Sequence, residues 1–230
     1  MTTSKQQFLI AALTLTSGFM AVADAQAGEV YTGVGIQGVM LGYAQPLSPS
    51  ITVRGDYATF GNLKRQRTED GIDYDARIKY SRFGLVGDWF FSGGWRLTGG
   101  ITANNMKIDM VGKPNSASAT INIGSGTYTY AAGDRLDVKV KFPSTTPYLG
   151  VGYGHQESSE KGFGFHFDLG ASIGKAKVST AFSGPSYNAM TAPQRAQLDA
   201  DLQTESQELR DGVGKIKAIP QLSLGVTYRF

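Results

Sequence analysis

The chain has 230 residues, a formal charge of +3 and no cysteine. That excludes a disulfide framework and cysteine metal centres, and its basic residues form no tract interleaved with stacking aromatics, which excludes a nucleic-acid face. Mean hydropathy is −0.18, and past residue 27 nothing approaches the roughly 20 apolar residues of a spanning helix, yet 30 glycines, 11 tyrosines and 12 phenylalanines suit crowded, strongly curved sheet.

Residues 1–27 read as a cleaved export peptide. Lys5 gives a positive start, and Phe8 to Val22 is an apolar run diluted by Thr14, Thr16, Ser17 and Gly18. Ala25-Gln26-Ala27 then fits the small-x-small cleavage pattern. The mature domain is expected to be 28–230. Within it, alternation of apolar and polar side chains predicts eight strands, at 29–35, 38–46, 50–61, 72–91, 95–110, 135–154, 162–178 and 216–230.

In chain order, Glu29–Val34 should turn at Gly35–Gly38 into the second strand; it is short, so that wall of a barrel should be low. Next, Ile51, Val53, Gly55 and Tyr57 oppose Thr52, Arg54, Asp56 and Ala58. In 72–91, Ile72, Tyr74, Ala76 and Ile78 are expected outside at first, with Phe83, Leu85, Gly87 and Trp89 taking over after a bulge near Tyr80–Arg82. Trp95, Leu97, Gly99 and Ile101 oppose Arg96, Thr98, Gly100 and Thr102. Val138, Val140 and Phe142 are expected outside against Asp137, Lys139 and Lys141; the phase changes at Pro143 and Pro147, after which Leu149, Val151 and Tyr153 look outward. Phe163 to Ile173 is the most regular segment, with Phe163, Phe165, Phe167, Leu169, Ala171 and Ile173 on one face. One helix is predicted, Pro193 to Asp211, with Thr191 capping it, Gly212 ending it and Leu198, Leu202 and Leu209 on one stripe. The last strand alternates Leu222, Leu224, Val226, Tyr228 and Phe230 and finishes on the aromatic.

Connections alternate between short ones (45–50, 92–94, 155–161) and long ones (61–71, 111–134, 174–213). That is the layout of an outer-membrane barrel, with periplasmic turns and extracellular loops. Tyr43, Trp89, Phe90, Phe91, Trp95, Tyr153 and Phe163 cluster beside the short turns, as an interfacial girdle would. The fold expected is therefore all-β: an eight-stranded antiparallel transmembrane β-barrel with one short helix in the last extracellular loop.

The polar faces define a candidate lumen. Arg54, Asp56, Arg77, Lys79, Arg82, Asp88, Arg96, Asp137, Lys139, Lys141, His166, Asp168 and Lys217 are expected to point inward. Mixed charges confined there should pair, because a lone buried charge is costly. They give either a salt-bridged plug or a narrow gated conduit. No catalytic residues are assigned. His166 and Asp168 share a face, but the sequence His166-Phe167-Asp168 lacks the serine a barrel lipid hydrolase would need, and no metal-ligand spacing is present. Gly33, Gly35 and Gly38 match a dinucleotide fingerprint without its strand–turn–helix context. Lys64, Arg65 and Arg67 form a basic cluster, answered by Glu69 and Asp70, that offers contact to lipopolysaccharide phosphates.

The terminal Gly225-Val226-Thr227-Tyr228-Arg229-Phe230, the Pro147–Gly154 segment and the Gly162–Gly170 strand resemble small eight-stranded outer-membrane proteins of Gram-negative bacteria, in the general style of OmpW. The resemblance implies a location in the cell outer membrane, contact with its lipid and lipopolysaccharide, and insertion by the barrel assembly machinery, for which Leu222, Leu224, Val226, Tyr228 and Phe230 carry the signal. No cofactor and no nucleic-acid partner are expected, and the oligomeric state is left open with a monomer favoured. The function expected is a structural or surface-interaction role with a charge-filled lumen, the alternatives being a narrow channel for small solutes and, remotely, a barrel lipid-modifying enzyme.

Overall fold

In the computed structural model, residues 28–69, 71–116, 118–156, 160–213 and 217–230 are described; the export peptide expected at 1–27 and Asp70 lie outside them. Period-two alternation of β-branched and aromatic side chains produces the first strands, β1 (Glu29–Gly35), β2 (Gly38–Ser48), β3 (Ile51–Glu69), β4 (Ile72–Ser92) and β5 (Trp95–Asn104). They are followed by β6 (Lys107–Pro114), β7 (Ser118–Ile123), β8 (Gly126–Ala131), β9 (Arg135–Lys141), β10 (Thr145–Tyr153), β11 (Gly162–Ile173), β12 (Lys177–Ser183) and β13 (Ala218–Arg229). Two helices, α1 (Pro185–Ala189) and α2 (Ala192–Val213), lie between β12 and β13.

β1 to β5 each pair antiparallel with the next; β5 pairs with β10, β10 with β11, β11 with β13, and β13 with β1. The circuit returns to its start, so the sheet closes into a barrel and no edge of that circuit is left unpaired. Closure joins the first and last strands, from Glu29 opposite Arg229 to Gly35 opposite Ser223. The predicted tight turn after β1 is present, and Gly38 takes the positive φ of 92° that it requires.

Above this ring the wall continues on one side only. β6, β9 and β12 follow on from β5, β10 and β11 across breaks at 105–106, 142–144 and 174–176. They pair with one another and with the Ile72–Lys79 half of β4, giving the order β12-β9-β6-β4-β3. The hairpin β7–β8 and helix α2 pack against one face of this second sheet. Ile72, Ile121, Ile123, Tyr130, Phe182, Leu198 and Leu202 form their common buried core, with Tyr128, Leu136 and Tyr187 packed on it. The closed ring thus carries a cap with a hydrophobic core of its own.

The cap corrects several expectations. β3 runs to Glu69 rather than ending in a loop at 61, the 111–134 segment holds the β7–β8 hairpin, and the 174–213 segment holds β12 and α1 as well as the helix. β4 keeps one phase throughout: Ile72 and Tyr80 are buried on the same face as Arg82, Val86 and Asp88. The bulge sits on the partner strand, where the register slips between Thr59 and Gly61 opposite Tyr80 and Ser81. Ile72 and Tyr74 are therefore turned toward the cap core, not outward. Helix α2 matches the predicted stripe, with Leu198 and Leu202 buried and the side chain of Gln194 accepting from the Thr191 backbone N–H at 2.9 Å.

Candidate functional site: the interior charge network

Inward positions of the ring stack in three tiers. At the short-turn end, Glu29 on β1 meets Arg229 on β13 because the closing register places them opposite each other; Arg229 Nη2 donates to Glu29 Oε2 at 2.9 Å and to Gln156 O at 2.8 Å. His155, in the turn between β10 and β11, has a left-handed φ of 64°. Its ring is buried beneath the ring of strands, with Nδ1 hydrogen-bonded to Glu29 Oε1 and its carbonyl accepting from Thr52 Oγ1 at 3.1 Å.

The middle tier is an alternating square of two arginines and two aspartates. Arg54 on β3 reaches Asp88 on β4 through Nε at 2.5 Å and Nη2 at 3.1 Å, and Asp168 on β11 through Nη2 at 3.0 Å. Arg96 on β5 closes it, with Nη2 2.7 Å from Asp168 Oδ1 and Nε 3.2 Å from Asp88 Oδ2. Thr98 Oγ1 donates to Asp88 Oδ1 at 2.7 Å. Beside the square, Arg82 pairs with Asp56, and the Tyr31 hydroxyl donates to Asp56 Oδ2 at 3.4 Å. All these side chains are buried. Each guanidinium answers a carboxylate, so the low-dielectric interior holds balanced charge rather than a field of one sign. Above, Thr102 Oγ1 lies 2.8 Å from Thr146 Oγ1 and 2.9 Å from Ser172 Oγ, which accepts from Gln221 Nε2 at 2.7 Å.

Little space remains among these groups. The cavity lined by Gln37, Met40, Arg54, Asp56, Arg82, Tyr148, Asp168 and Gln221 measures about 10 Å³, less than a single water occupies comfortably. His155, His166 and Asp168 each offer a donor atom within 4.8 Å of the other two. Asp168 is already engaged by two guanidiniums, and that positive pair disfavours a dication at this corner.

Of the residues expected in the lumen, Arg54, Asp56, Arg82, Asp88, Arg96, His166 and Asp168 come together there. The others do not. Arg77 and Lys79 occupy the exposed face of β4 above the ring, and Asp137, Lys139 and Lys141 lie on β9 in the second sheet, facing the same side. Lys217 is exposed just before β13. Sequence alternation had the faces of β9 reversed because Val138 and Val140 were expected outside; Leu136, on their face, instead packs on the cap core. The basic cluster is split: after the bulge, Lys64 shares the face of Arg77, whereas Arg65 and Arg67 share that of Ala76 and Tyr74.

Contributors missed as site residues include Glu29, Tyr31, Tyr148, His155 and Arg229. Glu29 and Arg229 were legible in principle as opposite charges on the two strands that must close the ring. On the outside, Leu222, Leu224, Val226, Tyr228 and Phe230 are all exposed, and so are the girdle aromatics except Phe90, which is buried inward.

Neither a family model nor a curated protein matches the chain. Solved structures share its fold, among them two from Acinetobacter baumannii. The crystal structure of Acinetobacter baumannii CarO2 matches with a TM-score of 0.57 at 18% identity, covering 89% of this chain and 98% of that one. The crystal structure of Acinetobacter baumannii CarO matches with a TM-score of 0.53 at 16% identity and the same 89% and 98% coverage. At such identities the likeness is one of fold: a CarO-like barrel, with nothing that singles out the OmpW style.

Proposed function

We propose that the protein is an outer-membrane β-barrel of a Gram-negative cell, an eight-stranded ring spanning the bilayer, with a structural or surface-interaction role rather than a catalytic one. One observation carries the reading: the ring is inside-out. Phe163 is 85% exposed, Phe165 79% and Leu41 67%, while the inward-facing Arg54, Asp88 and Arg96 are 0–2% exposed. A water-soluble monomer does not tolerate so continuous an apolar exterior, whereas hydrocarbon requires it, together with a closed backbone ladder. The exposed Trp89, Phe91, Trp95 and Tyr153 beside the short turns fit an interfacial girdle, with Trp95 and Tyr153 in edge contact at 5.6 Å.

The partners proposed follow from that placement: outer-membrane lipid and lipopolysaccharide along the exterior, and the barrel assembly machinery for the exposed face of β13. Export through a cleaved peptide at 1–27 belongs to the same reading. The barrel leaves no open edge in its own circuit, which supports a monomer. The channel alternative asks the Arg54–Asp88–Arg96–Asp168 square to rearrange, and a 10 Å³ cavity weighs against passage in this arrangement.

Refolding tests the reading. Residues 28–230 should fold in detergent or phosphatidylcholine bilayers, migrate differently on gels before and after boiling, and give no discrete conductance steps in planar bilayers. Recovery of the same chain as a folded, detergent-free monomer in buffer would sink the barrel assignment. Steps from the unmodified protein would move the function to the channel.

A further inference from the structure

The register of the second sheet puts like charges in a line. Lys79 on β4 lies opposite Lys107 on β6, Lys107 opposite Lys141 on β9, and Lys141 opposite Lys177 on β12. Four adjacent strands thus carry four lysines abreast, all exposed and, among the described residues, none ion-paired. Side chains directly opposite one another sit about 4.5–5.5 Å apart at Cβ, where like charges are destabilising. The farther lines across the same face are mixed: Arg77 and Lys139 flank Asp109, and beyond them come Asp75 and Asp137. With Lys64 opposite Arg77 the next line keeps a smaller positive excess, offset by Asp75 and Asp137, and the line nearest the ring holds no carboxylate.

That line sits at a boundary. Lys79 shares its face of β4 with Phe83, Leu85 and Trp89, the exposed apolar exterior of the barrel. Phe83 is four residues down the strand, about 13 Å. β6 begins at Lys107, β9 ends at Lys141 and β12 begins at Lys177, so all three cap strands meet the ring at a lysine. Below the line, Ile101, Leu149 and Ile173 continue the apolar surface on the neighbouring strands.

We propose that this lysine row is a binding site for the phosphate groups of a phosphorylated glycolipid in the outer leaflet. The inference rests on the outer-membrane reading, which sets the apolar exterior in hydrocarbon and so brings the row to the headgroup layer. An ammonium row suits this ligand: lysine is a compact point charge with freely rotating donors, matched to phosphates whose spacing varies from one lipid to the next. Phosphate between adjacent ammonium groups turns their mutual repulsion into attraction.

Refolded protein in phosphatidylcholine bilayers doped with diphosphorylated lipid A, or with the same lipid dephosphorylated, tests this. The wild type should be stabilised against thermal unfolding by the phosphorylated lipid alone, with a shift that shrinks as salt rises. The Lys79/Lys107/Lys141/Lys177→Gln variant should lose roughly tenfold or more in apparent lipid affinity, while the corresponding four-fold Lys→Arg variant should keep it. Equal stabilisation of the Gln variant, or of the wild type by the dephosphorylated lipid, overturns the proposal. Failure of the wild type to enter neutral bilayers would instead sink the barrel reading, and normal entry without any phosphate response would sink the lysine row alone.

Discussion

Asp88 is the residue on which the interior leans most heavily. Its two carboxylate oxygens answer both guanidiniums of the square and the Thr98 hydroxyl, and its side chain is fully buried. Asp88→Asn preserves the shape and removes the charge, leaving Arg54 and Arg96 to share Asp168. Breaking one partner out of a buried ionic network costs about 3–5 kcal/mol, because the uncompensated charge is worse than an apolar replacement. The expected outcome is a loss of that size in urea unfolding of the refolded barrel, with the gel mobility of the folded form retained at low denaturant. A loss below about 1 kcal/mol would place Asp88 among exposed, screened pairs and contradict its burial.

At the scale of elements, α2 is held to the β7–β8 hairpin within the cap by few polar contacts, and one of them titrates. The Tyr128 hydroxyl on β8 donates to Asp201 on α2, and Ser125 reaches the same carboxylate at 3.3 Å. The hydrogen bond from Tyr128 holds the Asp201 carboxyl below its ordinary value of 3.8. Burial, with the same bond, pushes the Tyr128 hydroxyl up to about 12. A lowered carboxylate contributes its stability above its unfolded pKa and loses it as the pH falls through the folded one. A raised phenol contributes below 10 and loses it as the pH rises toward 12. Docking of α2 on the hairpin should therefore be firm between about pH 4 and 10 and loosen outside that window, read as proteolytic cutting within α2 at acid pH. Tyr128→Phe should flatten the acid limb of that profile; an unchanged limb would mean that another carboxylate sets it.

These same elements mark where sequence stopped being informative. The ring was legible because each of its strands separates lipid-grade from polar residues, and Ile51–Ala58, Trp95–Thr102 and Phe163–Ile173 face as their alternation implies. Alternation carries no sign, however. Where β4 and β9 rise into the cap, their apolar faces meet other protein instead of lying on the outer surface, so Ile72 turns inward and Asp137, Lys139 and Lys141 turn out. The β7–β8 hairpin was illegible for a related reason: Ser118–Ala131 is rich in threonine, serine and glycine, and its few apolar residues gain a core only once α2 arrives. His155 was hidden because a turn residue is expected in solvent, and only a left-handed backbone swings its ring under the barrel.

For the whole molecule, two packed interiors succeed each other along β4, the cap core at Ile72 and the square at Asp88. The Arg–Asp square seals the ring at its waist, and the cap core of Ile72, Ile121, Tyr130, Phe182 and Leu198 sits above it. Among the described residues the two share no ion pair: the cap is held by apolar burial and contacts such as Tyr128–Asp201, the square by charge pairing across β3, β4, β5 and β11. Obstructions in series act as a product, so removing one leaves the path blocked by the other. Replacing β7–β8 with a short turn should thus leave the barrel non-conducting in planar bilayers, and so should Arg54→Ala with Asp88→Ala in the capped protein. Only the combination should pass ions. Conductance from the capless variant alone would show that the square does not fill the ring, and conductance from the Arg54/Asp88 variant alone would show that solute reaches the waist around the cap, through the low wall at the β1–β2 turn.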